Sequence, residues 1–86
     1  MNFHYVYVLQ NKEKSFIYVG QTKDLRKRFA EHNNSKVIST KHYLPLDLVF
    51  YEAYKSPDDA YRREGYLKTN KGATTLKTML KESLIC

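Results

Sequence analysis

The groups in this chain that can do chemistry gather around one stretch, running from Tyr18-Val19-Gly20 to Arg28-Phe29-Ala30-Glu31-His32. An apolar run of β-formers ends at Gly20. Asp24 then caps a helix that carries Arg28 and, one turn later, His32. Two more groups join them by pattern: Tyr7 in the preceding apolar run, and Glu64 in the middle of an inward-facing helical stripe. A carboxylate on such a stripe must find a cation, a metal ion or a water-filled cleft, because burying it unpaired is expensive. An arginine presents a planar fork of donors that suits a phosphate. Phosphodiester hydrolysis needs a positioned water, a group to take its proton, and positive charge on the phosphate as negative charge builds. A tyrosine, with an ordinary pKa of about 10, is a poor base at neutral pH. A neighbouring cation and a metal ion would lower that value towards a working range.

The elements that must position these groups are readable from the order of residues. Phe3 to Leu9 is aromatic and β-branched, which predicts a strand buried on both faces. Asn11 to Lys14 is a polar break, and Phe16 to Val19 is a second strand, so the pair reads as a hairpin. A symmetric register pairs Leu9 with Phe16 and Tyr7 with Tyr18, standing the two tyrosines opposite each other. The helix capped by Asp24 is expected to reach about Asn33, with Leu25 and Phe29 as its inward stripe and Arg26 and Lys27 towards solvent. Ser35 to Tyr43 reads as an exposed loop. Pro45 leads into a third strand, Leu46 to Tyr54. Ser56-Pro57-Asp58-Asp59 is a helix start, and that helix is expected to run to about Asn70, closed by Gly72, with Ala60, Tyr61 and Leu67 on its stripe. Leu76, Met79, Leu80 and Leu84 form a short last helix. The expected class is α+β, a three-stranded antiparallel sheet flanked by helices in the order β-β-α-β-α-α.

With 86 residues the chain is expected to form a single domain over 1-86. Its net charge of +6 and pI of about 9.5 point to a polyanionic partner, nucleic acid first. Lys23, Arg26, Lys27, Lys36, Lys41, Lys68 and Lys71 together suit a surface that tracks phosphates. The one cysteine, Cys86, allows neither a disulfide framework nor a Cys/His zinc site. No apolar run approaches the length of a membrane span and the opening residues lack a signal-peptide pattern, so the expected location is cytoplasmic, with no membrane partner.

In this order and at these spacings the residues resemble the GIY-YIG nuclease superfamily, and within it the small stand-alone domains. The first signature tyrosine corresponds to Tyr7 in Tyr5-Val6-Tyr7, and the second motif to Tyr18-Val19-Gly20. The family's helix arginine falls on Arg28 and the histidine after it on His32. Its metal-binding glutamate falls on Glu64, in Arg63-Glu64-Gly65-Tyr66-Leu67-Lys68. Thr40, Pro45, Leu48-Val49 and Glu52 also stand where small members carry such residues. There are three departures. Tyr5 replaces the glycine that opens the first motif in many members. Gln21 stands where repair-type members carry a lysine, with Lys23 the nearest cation. Asn70 is the nearest match to a late asparagine.

The resemblance implies a metal-dependent endonuclease that hydrolyses DNA phosphodiester bonds, in DNA repair or recombination. It implies a divalent ion on Glu64, Mg2+ with Mn2+ as its substitute, which needs only one or two protein carboxylates. It also implies a tyrosine base, Tyr7 ahead of Tyr18, with the other tyrosine orienting water or phosphate. His32 then either contacts the leaving side or braces Arg28, and Glu64 pairing with Arg28 is compatible with metal binding. Two alternatives stand. One is a non-cleaving nucleic-acid-binding module that stacks bases on strand aromatics over a basic surface, which leaves Glu64 unexplained. The other is an interaction module whose site has decayed. A domain this small carries no targeting module, so selectivity would come from its own loops or from a protein partner.

Overall fold

The computed structural model describes residues 2–85, so Cys86 lies outside the described residues. Strand β1 (His4–Asn11) lies between β2 (Ile17–Thr22) and β3 (Leu46–Tyr54), and both pairings are antiparallel. Helix α1 (Leu25–Asn33) connects β2 to β3 by way of a short 3-10 turn at Lys41–Tyr43. Helices α2 (Pro57–Leu67), α3 (Asn70–Met79) and α4 (Lys81–Ile85) follow β3. The α+β class and the three-stranded antiparallel sheet are as expected.

The central strand is buried on both faces, as its composition predicts. Val6 and Val8 pack with Val19, Ala60, Leu67, Leu76 and Leu80 on one side of the sheet. Tyr7 and Leu9 pack with Leu46 on the other, where Leu25 and Phe29 of α1 close over them. Alternation along a strand allows this division, with residues two apart sharing a face.

Six expectations change. The hairpin register differs by two residues: Tyr7 lies opposite Gly20, and Tyr18 opposite Leu9. The reason is the turn. The Asn11 side-chain oxygen accepts from the backbone N–H of both Ser15 and Phe16 at 2.9 Å, and Lys14 takes a left-handed conformation with φ 59°. These contacts hold Phe16 in the turn and extend β1 to Asn11. A shift of two keeps every side chain on its face, so Tyr7 and Tyr18 remain on one side, now diagonal to each other. Gly20 also lies inside β2 and does not end it.

The stretch from Ser35 to Tyr43 is not a wholly exposed loop, because Val37 and Thr40 are buried in it. Helix α2 stops at Leu67, short of Asn70. The Thr69 hydroxyl accepts from the Gly72 N–H and starts α3, so Gly72 sits inside the next helix. Gly72 is there because α3 crosses the end of α2 closely: a Cβ at this position would come within 2.6 Å of the Leu67 Cα. The expected last helix is therefore two, with its Met79 exposed, and Tyr61 on the expected stripe of α2 is 64% exposed.

Candidate active site

The site is built on the glycine that the register places beside Tyr7. The Tyr7 ring extends across Gly20, and a Cβ there would stand 2.5 Å from both its Cζ and its hydroxyl oxygen, and 2.9 Å from the Tyr18 ring. Only a residue without a side chain leaves that path open. Gly20→Ala is expected to destabilise the fold by about 2 kcal/mol, a fall in Tm of roughly 8–16 °C, because Tyr7 is 1% exposed and cannot swing into solvent. An unchanged melting curve would show that the ring is not confined this way.

Helix α1 forms where expected. Asp24 caps it by accepting from the Lys27 N–H at 3.1 Å. Its spacing carries His32 inward, where the ring is fully buried against both tyrosines, at centroid distances of 5.7 Å to Tyr7 and 5.1 Å to Tyr18. His32 Nε2 lies 2.8 Å from the Tyr7 hydroxyl, and Nδ1 lies 2.8 Å from the Thr40 hydroxyl. The Thr40 hydroxyl also lies 3.4 Å from the Val37 carbonyl, which can only accept. Thr40 then donates to Val37 and accepts from His32 Nδ1–H, which leaves Nε2 to accept the Tyr7 proton. The polar chain Tyr7–His32–Thr40 is thus satisfied from end to end in a dry setting.

Burial acts on both titrating groups. It pushes the Tyr7 phenol up to about 12, with Arg28 the chief opposing influence and Tyr18 and Glu64 adding to the rise. Arg28 acts on Tyr7 in the direction expected of a neighbouring cation, but desolvation outweighs it. His32 is held below the usual imidazole range, by burial first and by Arg28 second. The unfolded chain therefore binds a proton on His32 more readily than the native one. The stability due to its neutral form is complete above pH of about 6.5 and is lost as pH falls below that towards the native value. Parent protein is expected to lose Tm over this acid range more steeply than His32→Gln. Parallel curves would remove His32 as the cause.

Arg28 faces this cluster from α1 and pairs with Glu31 at 3.1 Å. Glu64 comes from α2, its side chain 17% exposed, and its Oε2 accepts from Lys68 Nζ at 2.9 Å. The pairing of Glu64 with Arg28 weighed from sequence is replaced by these two separate pairs. Lys68 also lies 5.9 Å above the Tyr18 ring, which ties the end of α2 to the edge strand. The structure therefore gathers Tyr7, Tyr18, Arg28 and His32, with Glu64 and Lys68 bordering them at β2. Lys23 and Lys27 line a hollow together with Arg28, whereas Lys23 and Arg26 line another beside Tyr5 and Tyr51. Lys36, Lys41 and Lys71 are exposed, the first two on the connection to β3 and Lys71 on α3.

Thr40 and Glu31 hold site residues, yet nothing in their own sequence context marked those roles. Thr40 sits in a polar stretch that reads as loop, and only its place in the family pattern pointed to it. Among the described residues no group of three or more His, Cys, Asp or Glu side chains could hold a metal ion. Glu64 by itself fits a hard ion that keeps most of its waters and takes further oxygens from a phosphate, and it does not fit an all-protein cage.

Residues 3–77 match the family model described as the GIY-YIG catalytic domain. The chain is 37% identical over 70 residues to a UPF0213 protein of Staphylococcus saprophyticus, covering 80% of this chain and 84% of that one. A UPF0213 protein of Streptococcus pyogenes is 40% identical over 68 residues, covering 78% of this chain and 73% of the relative. The solution NMR structure of a UPF0213 protein from Bacillus halodurans shares the fold, with a TM-score of 0.56 and 32% identity over 92% of this chain and 85% of the other.

Proposed function

The chain belongs to the GIY-YIG family, and from that premise we propose that it is a metal-dependent endonuclease acting on DNA phosphodiester bonds, with a role in DNA repair or recombination. The observation that carries this reading is the buried chain from the Tyr7 hydroxyl through His32 to Thr40, set beside Arg28. A satisfied tyrosine–histidine pair in a dry pocket is a proton path, and a phosphate is the substrate that the adjacent guanidinium suits.

In this reading Tyr7 takes the proton of the attacking water while its own proton passes to His32 Nε2. The two transfers offset one another, so no free phenolate is needed from a group whose pKa stands near 12. Tyr7 is then the base, and Tyr18, beside it at a ring-centroid distance of 6.3 Å, orients water or phosphate. The role of His32 is that of proton acceptor, in place of a contact to the leaving group. Arg28 holds the phosphate and meets the charge that develops on it. Glu64 would hold Mg2+, with Mn2+ as its substitute. The ion would supply Lewis-acid stabilisation of the phosphate oxygens.

The test is cleavage of labelled duplex, single-stranded and branched DNA with Mg2+ and again with excess chelator. The nuclease reading expects products only with metal. Binding without products under either condition would favour the non-cleaving binding module, and neither binding nor cleavage would end both readings.

A further inference from the structure

A groove of about 650 Å3 lies along the outer edge of β2, walled on its far side by α3. It adjoins the candidate active site, because Tyr18 and Lys68 line it. From Tyr18 it continues past Ile17 and Phe16 to Lys14 in the hairpin turn, and Lys77 of α3 faces this stretch from the opposite wall. Among its described lining residues three are lysines and none is acidic. Phe16 is stacked flat on Tyr43, with centroids 3.8 Å apart and planes 6° from parallel, so the floor is rigid as well as apolar. An apolar floor between cationic walls fits a chain that is anionic along its backbone and flat in its side groups. A nucleic-acid strand is such a chain.

We propose that this groove holds the substrate strand next to the scissile phosphate, with Lys14 and Lys77 contacting its phosphates and the Phe16–Ile17 floor taking a base. The inference rests on the nuclease reading and adds to it the direction in which the strand leaves the site, along β2 towards the hairpin. Neither lysine stands out in the sequence. They come from opposite ends of the chain, and only the packing of α3 against the edge strand sets them across one groove.

The test compares Lys14→Asn with Lys77→Gln in one protein against Lys55→Ala with Lys81→Ala, which removes the same charge from exposed positions away from the groove. Asparagine keeps the left-handed turn at position 14. With a labelled oligonucleotide, the groove variant is expected to bind about tenfold more weakly than the control variant and to lose about 1–2 from its log K against log salt slope. Its kcat at saturating DNA is expected to stay within about threefold of the parent, since neither lysine touches the reacting phosphate. Equal affinity and equal salt slope in the two variants would overturn the proposal while leaving the nuclease reading intact. So would sedimentation showing a dimeric parent and a monomeric groove variant, because the groove would then hold a second copy of the chain. A parent that neither binds nor cuts DNA would instead remove the nuclease reading itself.

Discussion

Glu64→Gln is expected to reduce DNA cleavage by about 10^3-fold while DNA affinity in the absence of metal stays within about twofold. Glutamine keeps the size of the side chain and the path of α2, and removes the charge that a divalent ion needs. A loss of 10^3 corresponds to about 4 kcal/mol of transition-state stabilisation. The ion pair lost at the same time does not account for that, because Lys68 is half exposed and such a pair contributes about 0–1 kcal/mol. Cleavage by the variant and the parent under increasing Mg2+, with Lys68→Met alongside, separates the two effects. Loss in Glu64→Gln and near-parent activity in Lys68→Met assigns the ion to Glu64. Equal cleavage by Glu64→Gln and parent would remove Glu64 as the ligand and point to a contaminating nuclease.

Tyr7→Phe is expected to lower kcat by about 10^3-fold, and Tyr18→Phe by about tenfold. The asymmetry follows from connectivity. The Tyr7 hydroxyl lies 2.8 Å from a neutral histidine nitrogen that can receive its proton, and Tyr18 meets the same histidine ring edge to face. Removing the Tyr7 hydroxyl also leaves His32 Nε2 buried with its acceptor unmatched, at a cost of about 1–3 kcal/mol. Activity is therefore read at a temperature well below the lowered Tm, and circular dichroism confirms that both variants are folded. Were Tyr18→Phe the more damaging of the two, the base would be Tyr18 and the proton path through His32 would not be used.

Local sequence was enough for the α+β class, the three strands and the starts of the two well-capped helices. Each of these rests on local rules. Strand β1 supplies an unbroken run from Val6 to Leu9 to the two cores, Asp24 and Ser56 are N-caps with their acceptors in place, and Arg28 and His32 are one turn apart whatever the rest of the chain does. The family pattern then joined residues as distant as Tyr7 and Glu64. What the local rules missed were contacts between segments. Counting residues in the Asn11–Phe16 turn implied the wrong partner for Tyr7, because one asparagine side chain serves two backbone N–H groups there. The helix break at Leu67 came from a threonine cap and a close crossing at Gly72 that no periodicity records.

Only the tertiary structure decided what the site residues are able to do. It brought Thr40 from a polar stretch to the far side of His32, fixing which imidazole nitrogen accepts. It kept Arg28 and Glu64 from pairing with each other across the site, leaving each to a local partner, Glu31 three residues on and Lys68 four residues on. It also raised the Tyr7 pKa where a neighbouring cation alone would lower it. The physical reason is common to all three. Residue type and spacing set which groups and which local pairs are available, whereas protonation and pairing across elements depend on desolvation and on which groups remote in sequence come within reach, and both are decided only once the sheet and helices have closed.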